Sequence, residues 1–265
     1  MAEECLPLLP LEKLDNNEII VLDEEEEATP ENDFLLSFIV PILNTKENGM
    51  QEYLARLFTS IKSNTDLFGQ DKLASKLQII VVDDYSPVPV TLDGIDLTDL
   101  NVTLLRNEER RGIGGSRNAG LKEASGLYVW YFDADDLVSN LGLSLMIKHI
   151  QEFVAKKNLP DVLFTKFGSL TQAPNNQIAK TVNEMELPDY SFSPVSSCCK
   201  VIKREICPLH PEKVYMEDVL FNFMLLDRIE MWTILRDCEY WTYDLRRQSN
   251  FTTTSGWLQN NRLTI

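Results

Sequence analysis

Leu127-Tyr128-Val129-Trp130-Tyr131-Phe132-Asp133-Ala134-Asp135-Asp136-Leu137-Val138 is the stretch whose reading decides the fold class. The apolar and aromatic run from Leu127 to Phe132 has no polar break, the pattern of a strand buried on both faces. It leads straight into three carboxylates, Asp133, Asp135 and Asp136. Like charges this close repel and raise one another's pKa unless a cation or a hydrogen-bond donor compensates. A divalent ion is the economical compensation, and oxygen ligands suit Mg2+ or Mn2+. Mg2+ takes one or two carboxylates and fills the rest of its shell with water and substrate phosphates. The functional reading is therefore a metal that holds a diphosphate at a strand's carboxyl end, where open α/β sheets bind ligands. The bland reading is a solvated acidic turn whose Asp caps the next helix.

Outward from this stretch the same pattern repeats. Phe34–Leu43 reads as a first core strand, with Pro41 near its end, where a missing N–H is tolerated. A helix follows over Met50–Ser63, with Tyr53, Leu54, Leu57, Phe58 and Ile61 on one face. Leu77–Val82 is a second β-branched strand, and it too ends in carboxylates, Asp83 and Asp84. Residues 87–100 read as a loop with a short helical turn, and Asn101–Arg106 as a third strand. Arg110 to Gly120 reads as a glycine-rich loop entering a helix that runs to about Ser125. Glycines let backbone approach a ligand closely, and a helix N-terminus attracts phosphate. Downstream, Leu141–Lys157 is a long amphipathic helix and Asp161–Phe167 a strand. Residues 168–196 have no clear pattern, and Cys198–Glu205 carries a basic cluster, Lys200, Lys203 and Arg204. Val214–Leu226 reads as helical, and Met231–Leu235 and Glu239–Tyr243 as late strands. Strand–helix–strand alternation implies parallel pairing with right-handed crossovers, which puts Asp83/Asp84 and Asp133/Asp135 at one sheet edge.

Charge narrows the function classes. The net charge is −16 over 265 residues, and residues 1–33 hold 12 carboxylates against one lysine, Lys13. That leader alone carries −11 and residues 34–265 carry −5, a balance that argues against a non-specific nucleic-acid binder. The five cysteines, odd in number and including the adjacent pair Cys198-Cys199, form no disulfide framework. Reduced thiols in a cytoplasmic compartment are the expectation. No apolar run reaches a membrane span and no basic n-region marks a signal peptide, although a peripheral position at a membrane stays open.

Four segments in order now resemble the family 2 glycosyltransferases of the GT-A fold: Val40-Pro41-Ile42-Leu43-Asn44, Val82-Asp83-Asp84-Tyr85-Ser86, Ser116-Arg117-Asn118-Ala119-Gly120 and Asp133-Ala134-Asp135-Asp136. A fifth, Glu217-Asp218, is similar to the family's later acidic pair, and the likeness covers roughly residues 34–250. It implies an α/β domain of GT-A type: a Rossmann-like, mostly parallel central sheet flanked by helices, with a smaller acceptor-side region. It also implies a division into an acidic extension (1–33, loosely ordered or adding an edge strand through Ile19–Leu22), a nucleotide-sugar-binding half (34–140) and an acceptor-binding, catalytic-base half of the same domain (141–265).

Position by position, the resemblance sets Pro41 and Leu43 beside the nucleotide base and has Asp83 or Asp84 hydrogen-bond that base. It brings Arg117 near the phosphates or base, faces Asp133 and Ala134 to the ribose side, and makes Asp135 the direct ligand of Mn2+ or Mg2+. Asp218 becomes the general base with Glu217 in support, Lys200 faces sugar or acceptor, and Arg246 or Arg247 closes over the diphosphate. The implied function is metal-dependent inverting transfer of a sugar from a nucleotide-diphosphate donor, a UDP-sugar by family habit, to a hydroxyl acceptor such as a glycan. Leu43 stands where the family often has an aromatic residue, Tyr85 where glycine is usual and Cys198 where Trp is common. Those departures motivate the alternative of a catalytically silent nucleotide- or partner-binding relative. A receiver-type signalling module would share the strand-end Asp83-Asp84 but runs to about half this length and leaves Asp133 to Asp136 without a role.

Overall fold

The computed structural model describes residues 34–172, 178–183, 197–214 and 216–244. The acidic extension over 1–33, its Ile19–Leu22 strand, and Arg246 and Arg247 lie outside the described residues. The elements in chain order are β1 (Leu36–Ile42), α1 (Met50–Lys62), β2 (Leu77–Asp83), β3 (Asn101–Arg106), α2 (Gly112–Glu123), β4 (Tyr128–Tyr131), β5 (Leu137–Val138) and α3 (Gly142–Ala155). They continue with β6 (Val162–Thr165), β7 (Phe167–Gln172), β8 (Ile178–Asn183), β9 (Lys200–Lys203), α4 (Glu217–Leu226), β10 (Trp232–Leu235) and β11 (Trp241–Asp244).

Seven strands form the main sheet in the order β10-β6-β9-β4-β1-β2-β3. The pairs β1–β2, β1–β4, β2–β3 and β10–β6 are parallel, and β9 runs antiparallel between β4 and β6. The carboxyl ends of β1, β2 and β4 therefore share one edge. The first of these strands contains a proline. Ile39 accepts a hydrogen bond from the amide of Phe132, so its backbone faces β4, and Pro41, two residues on, faces the same side. Pairing with β4 has stopped at Ile39↔Tyr131, so the missing N–H interrupts no ladder bond.

Helices cover both faces of the sheet. One core joins Phe38, Val40, Ile79 and Val81 to the α1 stripe Leu54, Leu57, Phe58 and Ile61 and the α3 stripe Leu143, Met146, Ile147 and Ile150. The opposite core joins Ile39, Ile80, Val82 and Tyr131 to Phe221 and Leu225 of α4, with Ala119 and Leu121 of α2 packed against them. Alternate residues of β1 thus serve opposite cores, which is why its sequence shows no polar alternation. A second sheet, in the order β5-β11-β7-β8, follows on from β6 after a one-residue break at Lys166. No helix among the described residues is long and apolar enough to cross a membrane.

Three local expectations change. No helix forms in 87–100; the short helical turns precede β2, at Thr65–Phe68 and Leu73–Lys76. The strand expected over Asp161–Phe167 is two strands in two sheets. Gly114 and Gly115 lie inside α2 rather than in a loop before it, because they give close approach to a neighbouring segment, as described next.

Candidate active site

The carboxylates after β2 are committed to backbone. Asp83 Oδ1 accepts from the amide of Ser86 (2.8 Å), and Oδ2 accepts from the amide of Val90 (3.3 Å) and the guanidinium of Arg106. Asp84 Oδ1 accepts from the amide of Arg111 (2.8 Å) and from Asn107 Nδ2 (3.0 Å), and Oδ2 from the amide of Gly112 (2.9 Å). Asp84 is thus an anion at the start of α2, accepting from the amides of the N-cap residue Arg111 and of Gly112. Those two amides are therefore taken by a side chain of the protein itself. Tyr85 between them sits at φ 52, the left-handed conformation that glycine adopts without penalty. Its exposed ring lies 5.1 Å from the guanidinium of Arg106, so the loop keeps its course without the glycine.

The Ser-Arg-Asn-Ala-Gly segment divides its work by helical position. Ser116 accepts from Asn107 Nδ2 (3.1 Å). Asn118 closes a two-way pair with the backbone of His210, donating to its carbonyl (2.9 Å) and accepting from its amide (2.7 Å). Gly120 brings α2 against β1, since a Cβ there would stand 2.4 Å from Ile39 Cγ2. Gly114 does the same for the 209–213 loop, where a Cβ would stand 2.2 Å from the carbonyl oxygen of Pro211. Arg111 also grips that loop through a forked ion pair with Glu212, whose carboxyl is held below its ordinary value chiefly by this hydrogen bonding. Arg117, 3% exposed, reaches the other way: its two terminal nitrogens donate to Glu217 Oε1 (2.8 Å) and Asp133 Oδ1 (3.2 Å).

The acidic turn after β4 is backed by β9 and the turn before it. Asp133, Asp136 and Cys198 each place a ligand-type atom within 4.8 Å of the others. The Asp133 amide donates to Cys198 Sγ (3.4 Å), and that thiol faces Asp136 Oδ2 at 3.9 Å. Burial, then Asp133 and Asp136, push the Cys198 thiol well above its ordinary pKa, so it stays protonated. The two carboxylates are hard oxygen donors of the kind that suits Mg2+ or Mn2+. Asp135, half-buried, is not among these three, and Ala134 packs into the core. Lys200 is 3% exposed at the start of β9, and burial pulls its amine down to about 8, with Arg117 pushing the same way and Asp218 opposing. Glu217 and Asp218 open α4, both half-buried; burial raises the Glu217 carboxyl, against the pull of Arg117.

Pro41 and Leu43 at the end of β1, Asp83 and Asp84 at the end of β2, the acidic turn after β4 and Lys200 at the start of antiparallel β9 therefore all lie at one sheet edge. Arg117 joins that edge to Glu217. Asp136 is one of the three carboxylates of the acidic turn, but the resemblance gives it no role of its own, and Cys198 enters from the sequence only as a departure where Trp is common. Their contact spans 62 positions, and no local pattern announces it.

His210 is the buried group least accounted for. It is 2% exposed, both ring nitrogens lack a hydrogen-bond partner, and its ring stacks on Phe221 with centroids 3.8 Å apart. Burial, then Arg117 and Lys200, lower its pKa from 6.5 to about 2. The unfolded chain therefore binds a proton that the fold refuses between those values, and stability present above pH 6.5 is lost as pH falls. His210→Phe is expected to remove that loss, gaining about 2 kcal/mol on the wild type at pH 5 relative to pH 8. Urea unfolding of both proteins at the two pH values measures this; parallel pH dependence would overturn it.

Comparison with known proteins follows the same lines. A sequence model described as glycosyl transferase family 2 matches residues 37–208. The chain is 27% identical over 127 residues to UDP-Glc:alpha-D-GlcNAc-diphosphoundecaprenol beta-1,3-glucosyltransferase WfgD of Escherichia coli, covering 46% of this chain and 45% of that protein. It is 26% identical over 222 residues to poly(ribitol-phosphate) beta-N-acetylglucosaminyltransferase TarS of Staphylococcus aureus, covering 80% of this chain and 36% of that protein. The crystal structure of S. aureus TarS 1–349 in complex with UDP-GlcNAc shares the fold, with a TM-score of 0.62 at 21% identity over 84% of this chain and 61% of that one. The chain spans less than half the length of both curated relatives.

Proposed function

The chain belongs to glycosyl transferase family 2, and from that premise we propose that it transfers a sugar from a UDP-type donor to a hydroxyl acceptor with inversion at the anomeric carbon. The observation that carries this is the guanidinium of Arg117, shared between Asp133 of the acidic turn and Glu217, the neighbour of Asp218. A donor-side acidic cluster and an acceptor-side carboxylate pair so meet at one sheet edge.

In this reading Asp133 and Asp136 hold the divalent ion, with Asp135 beside them and Cys198 fixing the turn from behind. The ion, when bound, supplies Lewis-acid neutralisation of the leaving diphosphate. Asp218 accepts the proton of the acceptor hydroxyl as that oxygen attacks, and a single displacement inverts the anomeric centre. Lys200 sets a buried amine beside Asp218 and Arg117, on the side where sugar or acceptor enters. Pro41 and Leu43 flank the base, and Asp83 and Asp84 shape the loops around it. Arg246 and Arg247 follow β11 and would add positive charge over the diphosphate. The names of WfgD and TarS give different acceptors, GlcNAc-diphosphoundecaprenol and poly(ribitol-phosphate). The donor class is therefore carried over and the acceptor is left at a hydroxyl, as on a glycan.

A thermal-shift screen of UDP-, GDP-, CDP- and TDP-sugars with and without Mn2+ tests the donor and the ion together. Ligand at 100 Kd adds about 2.7 kcal/mol to the folded state, so a UDP-sugar with Mn2+ is expected to raise Tm by roughly 5–10 °C. Asp133→Asn, Asp135→Asn and Asp136→Asn, compared side by side, show which carboxylates the Mn2+-dependent part needs. No shift with any nucleotide sugar, and no release of nucleoside diphosphate, would sink the transferase reading.

A further inference from the structure

We propose that Arg117 is a positioning residue: its guanidinium fixes the start of α4, and through Glu217 it sets where the carboxylate of Asp218 stands. The inference rests on the reading of Asp218 as the base. It departs from the role the family resemblance implies for Arg117, a direct contact to nucleotide phosphates or base.

Ahead of Phe221, the first turn of α4 offers little packing of its own. Its N-cap residue, Met216, takes a left-handed conformation (φ 60) that is unfavourable for a side chain of its size, and it makes no side-chain capping hydrogen bond. Only Phe221 and Leu225 of the helix are buried, while Leu220, Phe223 and Met224 face outward. Asp218 Oδ1 accepts from the amide of the next residue, Val219, at 2.9 Å, a local bond that does not tie the helix to the sheet. The Arg117–Glu217 pair adds a polar tie at the very first residue, ahead of the apolar packing of Phe221 on His210 and Tyr131.

Arg117 itself stands on a rigid base. Gly120 seats α2 on β1 and Asn118 clamps the 209–213 loop, so the helix that carries the guanidinium has little freedom. Both terminal nitrogens are already occupied, by carboxylates from two separate parts of the chain, and the side chain is 3% exposed. A planar fork can hold two carboxylates in fixed relation, whereas a lysine ammonium is a single point charge. Arg117→Lys is therefore the informative variant: it keeps the charge and loses the geometry.

Two measurements test this. Amide hydrogen exchange of Val219 to Phe221 is expected to be about tenfold faster in Arg117→Lys, with the amides of β1 and β2 unchanged. In turnover of a UDP-sugar, kcat is expected to fall by about 10–100-fold with donor KM within about threefold. Glu217→Gln should speed the same amides, and the double variant should cost less than the product of the two single effects, because the two residues share the link to α4. Unchanged exchange at the start of α4 overturns the proposal whatever the activity. A rise of about tenfold in donor KM with kcat retained also overturns it, in favour of direct contact with the nucleotide. If the wild type turns over no nucleotide sugar while exchange in Arg117→Lys still accelerates, the anchoring stands and the transferase reading alone falls.

Discussion

Asp218→Asn is expected to lower kcat by about 10²–10⁴-fold while leaving donor affinity nearly unchanged. The amide has almost the shape of the carboxylate and still accepts at one oxygen, so the local bond to Val219 survives. What it loses is the capacity to take a proton from the acceptor hydroxyl. Glu217 is the competing candidate, because burial raises its carboxyl toward the range useful for a base. Geometry decides against it: one oxygen is held at 2.8 Å by Arg117, which itself is nearly inaccessible. Released UDP gives kcat, and thermal shift with UDP gives donor affinity independently of turnover. If Asp218→Asn kept wild-type kcat while Glu217→Gln abolished it, the roles of the pair would be exchanged.

Gly114→Ala is expected to destabilise the protein by roughly 2–4 kcal/mol, although alanine is the better helix former by about 0.5–1 kcal/mol. The position lies in α2, where helix propensity by itself would make the substitution stabilising. Its Cβ would stand 2.2 Å from the carbonyl oxygen of Pro211, which is backbone and cannot rotate aside. Relief requires the 209–213 loop to move off α2, which breaks the two Asn118–His210 hydrogen bonds and loosens the Arg111–Glu212 pair. Each lost bond costs about 0.5–1.5 kcal/mol, which adds to the overpacking. Urea unfolding measures the difference directly; a variant as stable as the wild type would show that the loop gives way without cost.

The fold was legible where burial was two-sided. The runs in β1, β2 and β4 are almost wholly apolar because the sheet is covered on both faces, the hydrogen-bonded Ser37 and Gln78 being exceptions, and the α1 stripe follows from one buried face. β9 was not legible. Four residues with lysine at each end carry no strand signal, and the strand exists because β4 and β6 leave a gap that it fills. Lys166, which parts β6 from β7, is likewise a tertiary feature. At the site, acidic clusters at strand ends could be read from a few adjacent residues. The partners of Arg117 lie 16 and 100 positions away, and those of Asp84 up to 28, so their roles depend on how the chain returns. The glycines of α2 read as a phosphate loop because their close contacts, with Pro211 and Glu212, are equally remote in sequence.

The antiparallel strand between β4 and β6 has a consequence for biosynthesis. A nascent chain that has emerged only as far as β6 holds the β3-β2-β1-β4 block and β6, but the strand that joins them is still inside the ribosome or not yet made. Until residues 200–203 arrive, β4 and β6 each present an unsatisfied apolar edge, the kind of surface that invites wrong pairing. Closure of the sheet is then a late, long-range event, slow by the measure of contact order. Ribosome-arrested chains cut before and after β9 should differ sharply in protease resistance, and dependence on chaperones should concentrate in that interval.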